Sequence, residues 1–212
     1  MLELFQQGFS GLMQQSGWEL IAVALAIAYL VLVIRESRWC WPCAFFSTAI
    51  FSWVFFDVSL VMESLLNVYY MVMAVYGYWC WQKHNGAAKE KQANLSISFL
   101  SFSQHLYAIT LIAVLTLVSG YFLSEHTQAA WPYLDSFTTW GAVVTTYMVA
   151  RKIFENWLYW LVIDSVALYL YWDRELYATA LLMMLYLVLV VVGIYTWSRQ
   201  IRRPPIDESA LA

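Results

Sequence analysis

The chain predicts an all-α membrane protein: seven transmembrane helices, built as two parallel three-helix repeats joined by a linking fourth helix, a 3+1+3 order. Three observations predict it. Hydrophobic residues make up 62% of the 212 positions and charged ones 12%, against roughly half and a quarter in a soluble domain. That is more apolar surface than one soluble core can hide. The apolar residues fall into seven stretches of about the length a bilayer requires. Finally, the chain matches itself at one fixed separation.

Taken in order, residues 1–17 carry Phe5, Phe9 and Leu12 at helical spacing but are too short to span, which predicts an interfacial helix. They hold Glu3 and no Lys or Arg, so no cleavable signal peptide is expected. The expected spans are 18–34, 41–56, 60–81, 106–123, 132–149, 155–171 and 176–197. None alternates as a barrel strand does, and backbone groups in lipid must be satisfied internally, so each is read as a helix. The first three spans form one unit (18–81). A cytoplasmic loop and the linking helix follow (82–130), then the second unit (131–197). Residues 198–212, with Arg202-Arg203-Pro204-Pro205, predict a mobile cytoplasmic tail.

Orientation follows from the basic residues. Arg35, Arg38, Lys83, Lys89, Lys91, Arg151, Lys152, Arg199, Arg202 and Arg203 fall on one side and Arg174 alone on the other, which accounts for all 11 Lys and Arg. The N-terminus is therefore expected outside and the C-terminus in the cytoplasm. The net charge of −3 argues against a nucleic-acid surface.

The self-match appears at a shift of 116 positions. Arg35 meets Arg151, Trp41 meets Trp157, Asp57 meets Asp173, Tyr70 meets Tyr186, Gly77 meets Gly193 and Trp81 meets Trp197. With the Leu and Val matches there are 11 identities over the 47 positions 35–81, where this composition gives roughly three by chance. A three-helix unit reverses direction and a fourth helix restores it, so the units are expected to lie parallel. Such duplicated bundles recur in transporters that hold substrate between the halves.

Polar groups at mid-membrane depth are costly and face the bundle interior. In the sixth span Asn156, Trp160 and Asp164 share one helix face, and Asp164 lies about 15 Å in from the cytoplasmic end. In the third span Glu63, Asn67, Tyr70 and Ala74 share a face, and Tyr70 reaches a similar depth. These two faces mark the expected site. Asn67 and Asn156 serve equally as helix-bridging residues on this pattern. Trp41, Trp81 and Trp197 suit the interfacial aromatic belt, and Trp157 suits either belt or pocket. Asp57 and Asp173 sit at outer span ends and read as capping or solvated groups. Gly77 and Gly193 read as sites of close helix packing, and Arg35 and Arg151 as topology anchors.

Cys40-Trp41-Pro42-Cys43 has redox spacing, but the expected orientation puts it on the reducing side, and its repeat mates Asn156 and Tyr159 are not cysteines. A redox role is the distant alternative. His84, His105 and His126 are scattered, which argues against a metal cluster. No phosphate loop or nucleophile motif is present, so neither an enzyme nor a cofactor is expected.

The segment from Glu63 through Asn67 and Tyr70 to Gly77, Trp79 and Trp81, together with Glu155-Asn156-Trp157-Leu158-Tyr159-Trp160, resembles the signature segments of the bacterial PnuC-type vitamin transporters. The resemblance covers about residues 18–197. It implies a SWEET-like fold in the bacterial inner membrane and uptake of nicotinamide riboside, with thiamine or another B-vitamin precursor or a nucleoside as the alternative. It also implies facilitated diffusion made one-way by cytoplasmic phosphorylation, and a homotrimer. By position it implies binding by Asn67, Tyr70, Asn156 and Trp160, with Trp157 and Asp164 as further candidates. Longer members carry an extra N-terminal span, and by the resemblance no counterpart to it is expected in this chain. An indole suits the cationic pyridinium ring of such a ligand, with a cation–π gain of up to about 2 kcal/mol when desolvated. Asn amides suit its carboxamide and ribose, and Asp164 suits its charge.

Overall fold

The computed structural model of the chain describes residues 17–57, 61–86, 96–127 and 130–202. The expected interfacial segment before Gly17 and the tail beyond Arg202 lie outside them. Among the described residues there are seven helices: α1 (Gly17–Ile34), α2 (Cys40–Asp57), α3 (Val61–Gly86), α4 (Phe102–His126), α5 (Pro132–Ala150), α6 (Asn156–Asp173) and α7 (Tyr177–Ile201). Each answers to one expected span. The largest differences are at α3, which runs on past Trp81, and at α4, which starts earlier than its apolar stretch. A capping box explains the latter: the Gln104 N–H donates to Ser101 Oγ while the Ser101 N–H donates to the Gln104 side chain at 2.8 Å. Pro132 opens α5 at a position where its missing N–H costs nothing.

By length and apolar composition, α1, α2, α4 and residues 179–201 of α7 meet the requirement for a membrane span. The other three expected spans, α3, α5 and α6, are less apolar for a reason visible in their residues. They carry Glu63, Asn67, Asp135, Thr145, Asn156 and Asp164 along with many Tyr and Trp, whose polar tips lower hydropathy.

In sequence order α1 packs on α2, α2 on α3, α4 on α5, α5 on α6 and α6 on α7; the remaining helix pairs are α3 with α5 and α1 with α7. The α3–α5 contact has a direction. Tyr69 donates to the Val143 carbonyl at 2.9 Å, Tyr76 stacks on Tyr147, and Trp81 Nε1 donates to the Ala150 carbonyl at 3.2 Å. The numbers rise together on both helices, so α3 and α5 run side by side in the same sense.

Positions 116 apart adopt matching local structure. At the end of α1, Glu36 N–H bonds to the Val33 carbonyl and Ser37 N–H to that of Leu32; at the end of α5, Lys152 N–H bonds to Val149 and Ile153 N–H to Met148. Both are the double closure of a Schellman motif. Glu36 and Lys152 take the left-handed position, each with φ 51°, where glycine is usual and another residue costs roughly 1–2 kcal/mol. Further matching positions place an indole on a glycine. A Cβ on Gly77 would collide with the ring of Trp41, and one on Gly193 would come within 2.6 Å of Trp157. Trp41 meets Trp81 edge-on at 5.5 Å and 87°, and Trp157 meets Trp197 at 5.4 Å and 87°.

This packing corrects the expectation of an aromatic belt for these four residues. Trp41, Trp81, Trp157 and Trp197 are 1%, 3%, 1% and 0% exposed and form the centre of the main core with Val33, Cys40, Ala74, Val149 and Val190. The two glycines remove the side-chain volume that would hold the rings outside. Exposed indoles at helix ends include Trp18, Trp39, Trp131 and Trp172.

The core lies where α1, α3, α5 and α7 end. There, residues 96–101 also dock on the α5–α6 turn. Ser98 pairs with Ile153 as a short parallel bridge, with Ser98 N–H on the Lys152 carbonyl at 3.0 Å and Phe154 N–H on that of Ser98 at 2.8 Å. At the opposite end Arg174 pairs with Asp135 at 2.6 Å and Trp131 Nε1 donates to Asp173 at 2.8 Å.

Candidate functional site

Asp164 sits in the middle of α6, is 7% exposed and has no hydrogen-bond partner among the described residues. A lone carboxylate in a low-dielectric interior is costly unless something pairs with it. Its surroundings are phenols. Tyr70 of α3, Tyr171 of α6 and Tyr186 of α7 all lie close enough to interact with it electrostatically, and Tyr29 of α1 adjoins Tyr70. None of these neighbours is basic. Tyr70 and Tyr186 stand 116 positions apart, the separation of the sequence self-match, and both address the same acid. Tyr171, one face-repeat further along α6, also interacts with Glu63, Asp135 and Arg174 and links the acid to the far end of the bundle.

The other expected residues divide into two groups. Asn156 is fully buried at the start of α6; its Nδ2 donates to the Ile153 carbonyl at 2.5 Å, and its Oδ1 is buried with no partner. Thr145 and Ser136 of α5 likewise bury hydroxyls that have none. An unmet buried acceptor costs about 1–3 kcal/mol, so the interior of the second half is rich in unmet polar groups. Trp160 is half-buried beside the core, one turn from both Asn156 and Asp164. Asn67 is half-buried and donates to the Glu63 carbonyl at 2.8 Å. The structure thus brings Tyr70 and Asp164 together. Asn67 and Asn156 turn their amide donors to their own backbone instead of to each other. Trp157 is placed in the packing layer against Gly193 and Trp197.

Two features were missed by sequence reasoning. Tyr186 was one, although the repeat that singles out Tyr70 carries its signal. The other is a clasp at the core end: the Glu155 carboxylate accepts the Leu100 N–H at 3.2 Å and lies 3.6 Å from His105, whose Nδ1 is 3.0 Å from the Tyr159 hydroxyl. Cys40 and Cys43 are free thiols, the first buried. A groove of about 360 Å³ lined by Ala49, Ser52, Trp53, Phe56, Ser64 and Met71 contains none of the candidate residues.

Comparison with known proteins gives this geometry a context. The chain is 25% identical to the riboflavin/roseoflavin transporter RibM of Streptomyces davaonensis over 89% of each chain. It is 22% identical to the nicotinamide riboside transporter PnuC of Escherichia coli over 74% of each. The crystal structure of the vitamin B3 transporter PnuC superposes with a TM-score of 0.71 at 22% identity, covering 94% of this chain and 88% of that one, which establishes a shared fold. The model of the family described as nicotinamide mononucleotide transporter matches residues 16–199. A match over most of the chain, on several helices apolar enough to cross a bilayer, identifies a multi-pass membrane protein that belongs to the nicotinamide mononucleotide transporter family.

Proposed function

We propose that this chain carries nicotinamide riboside across the bacterial inner membrane by facilitated diffusion, with phosphorylation in the cytoplasm trapping the vitamin. In this reading α1–α3 (within 18–81) and α5–α7 (within 131–197) are two parallel units linked by α4, a 3+1+3 bundle. The arginine-rich side is cytoplasmic, with the N-terminus outside, and the assembly is a homotrimer. The observation that carries the reading is Asp164, buried and unpaired between the repeat-related Tyr70 and Tyr186. A cationic pyridinium ring supplies the missing counter-charge, and phenol and indole faces favour it further. Trp160 and Asn156 complete the wall, Asn67 meets the ligand one turn from Tyr70, and Trp157 holds α6 in place from behind. A mononucleotide brings a phosphate for which the described neighbours of Asp164 offer no cation, so the riboside fits better.

Similarity to RibM over 89% of both chains favours a second reading, riboflavin. Its neutral isoalloxazine ring gains from the aromatic lining but has no use for an ionised Asp164. Thiamine, also a cation, shares the charge argument. The test is a thermal-shift panel of purified protein with nicotinamide riboside, its mononucleotide, thiamine, riboflavin and common nucleosides, because a ligand stabilises the state it binds. Nicotinamide riboside is expected to raise the midpoint most. A shift with riboflavin and none with the riboside would transfer the assignment.

A further inference from the structure

We propose that Glu36 and Lys152 form a latch that holds the two three-helix units together at their basic ends and must part during each transport cycle. The proposal rests on the two-unit reading above and adds the element that controls access to its site. Lys152 Nζ lies 2.8 Å from Glu36 Oε2, with the side chains only 12% and 23% exposed. The two residues are 116 apart, the repeat shift itself, so each occupies the same position in its own unit. Each stands at the left-handed position of its Schellman turn, where glycine would close the helix without strain. Local backbone needs do not explain a charged residue at either place. Glu175 takes the same left-handed position at the α6–α7 turn, φ 60°, so strain alone does not mark the pair; the ion pair that joins the two matched positions does.

The pair is not isolated. Lys152 Nζ also sits 4.7 Å over the ring of Trp81, and Trp81 donates across the same boundary to the Ala150 carbonyl. Below them lies the buried tryptophan layer. At the opposite end the described ion pair and indole hydrogen bond, Arg174 with Asp135 and Trp131 with Asp173, stay within the second unit. Further along α3 the Tyr69 hydroxyl also donates across the halves to the Val143 carbonyl, and the basic end adds the ion pair, the cation–π contact and the Trp81 hydrogen bond. Opening the basic end requires the Glu36–Lys152 pair to separate.

The test uses full-length protein in liposomes with Cys40, Cys43 and Cys80 replaced, carrying Glu36→Cys and Lys152→Cys. Bridging the two thiols with a short bis-methanethiosulfonate reagent is expected to abolish uptake of labelled nicotinamide riboside, with recovery on reduction, while the ligand-induced thermal shift persists. A second readout needs no substrate. In a background with Ala150→Cys, the rate of labelling by a membrane-impermeant thiol reagent from the basic side should rise several-fold on Glu36→Gln. It should return to the starting rate in the charge swap Glu36→Lys with Lys152→Glu. Full uptake after complete bridging, or equal labelling in all three proteins, would overturn the latch. Absence of any riboside shift or uptake in the unbridged protein, with labelling that follows the charge pattern, would instead overturn the substrate and leave the latch standing.

Discussion

Trp157 stands edge-on to Trp197, ring centroids 5.4 Å apart and planes at 87°, and covers Gly193 so closely that no Cβ fits beneath it. Trp41, Trp81 and Gly77 repeat the arrangement in the first half. Gly193→Ala and Gly77→Ala are each expected to lower stability by about 1–3 kcal/mol through overpacking. The midpoint of thermal unfolding in detergent reads this directly. Unchanged midpoints would mean that the indoles can swing aside.

Asp164→Asn keeps the shape of the side chain and removes its charge. If the acid balances a cationic ring, affinity for nicotinamide riboside should fall about tenfold to a hundredfold, the worth of a charge-assisted contact. Calorimetric titration with the riboside and with neutral riboflavin separates the causes: only the cation should suffer. Equal loss for both would point to a distorted site.

Trp160→Ala tests the stacking surface. Its half-buried indole lies between Asn156 and Asp164 on α6, and removing it should weaken riboside binding by about 1–2 kcal/mol. The same titration measures this. An unaltered dissociation constant would remove Trp160 from the wall.

Replacing Cys40 and Cys43 together by Ala should leave uptake intact and lower stability by only about 1 kcal/mol, since Cys40 is a small buried core residue and both thiols are free. Uptake into liposomes under reducing and oxidising conditions provides the check. Loss of transport at normal expression would revive the redox alternative.

The helices were legible because each is an apolar run of bilayer length, and the capping box shows why an apolar run alone misplaced the start of α4. The repeat made the Trp–Gly contacts legible as close packing at Gly77 and Gly193. It did not reveal that the indoles are buried, because hydropathy reports depth in the membrane and not rotation about the helix axis. Glu36 and Lys152 escaped for a different reason: a scan for identities passes over positions where the copies carry opposite charges. The contact of Glu155 with Leu100 and His105 joins distant segments, and no local pattern encodes it. Of the site, Tyr70 and Asp164 were found through depth and helix face, whereas Tyr186 needed the repeat to be applied to function as well as to fold.

The opposite charges at positions 36 and 152 bear on how such a chain can have arisen. In an ancestral dimer of identical three-helix peptides, a residue beside the symmetry axis meets its own copy. Glu would then face Glu, or Lys face Lys, and repel. On the two-unit reading, joining two such copies in one polypeptide would free each to carry the charge that complements the other. On that reading either half, expressed alone, would set like charges against each other at this position and is expected not to self-associate in place of the whole.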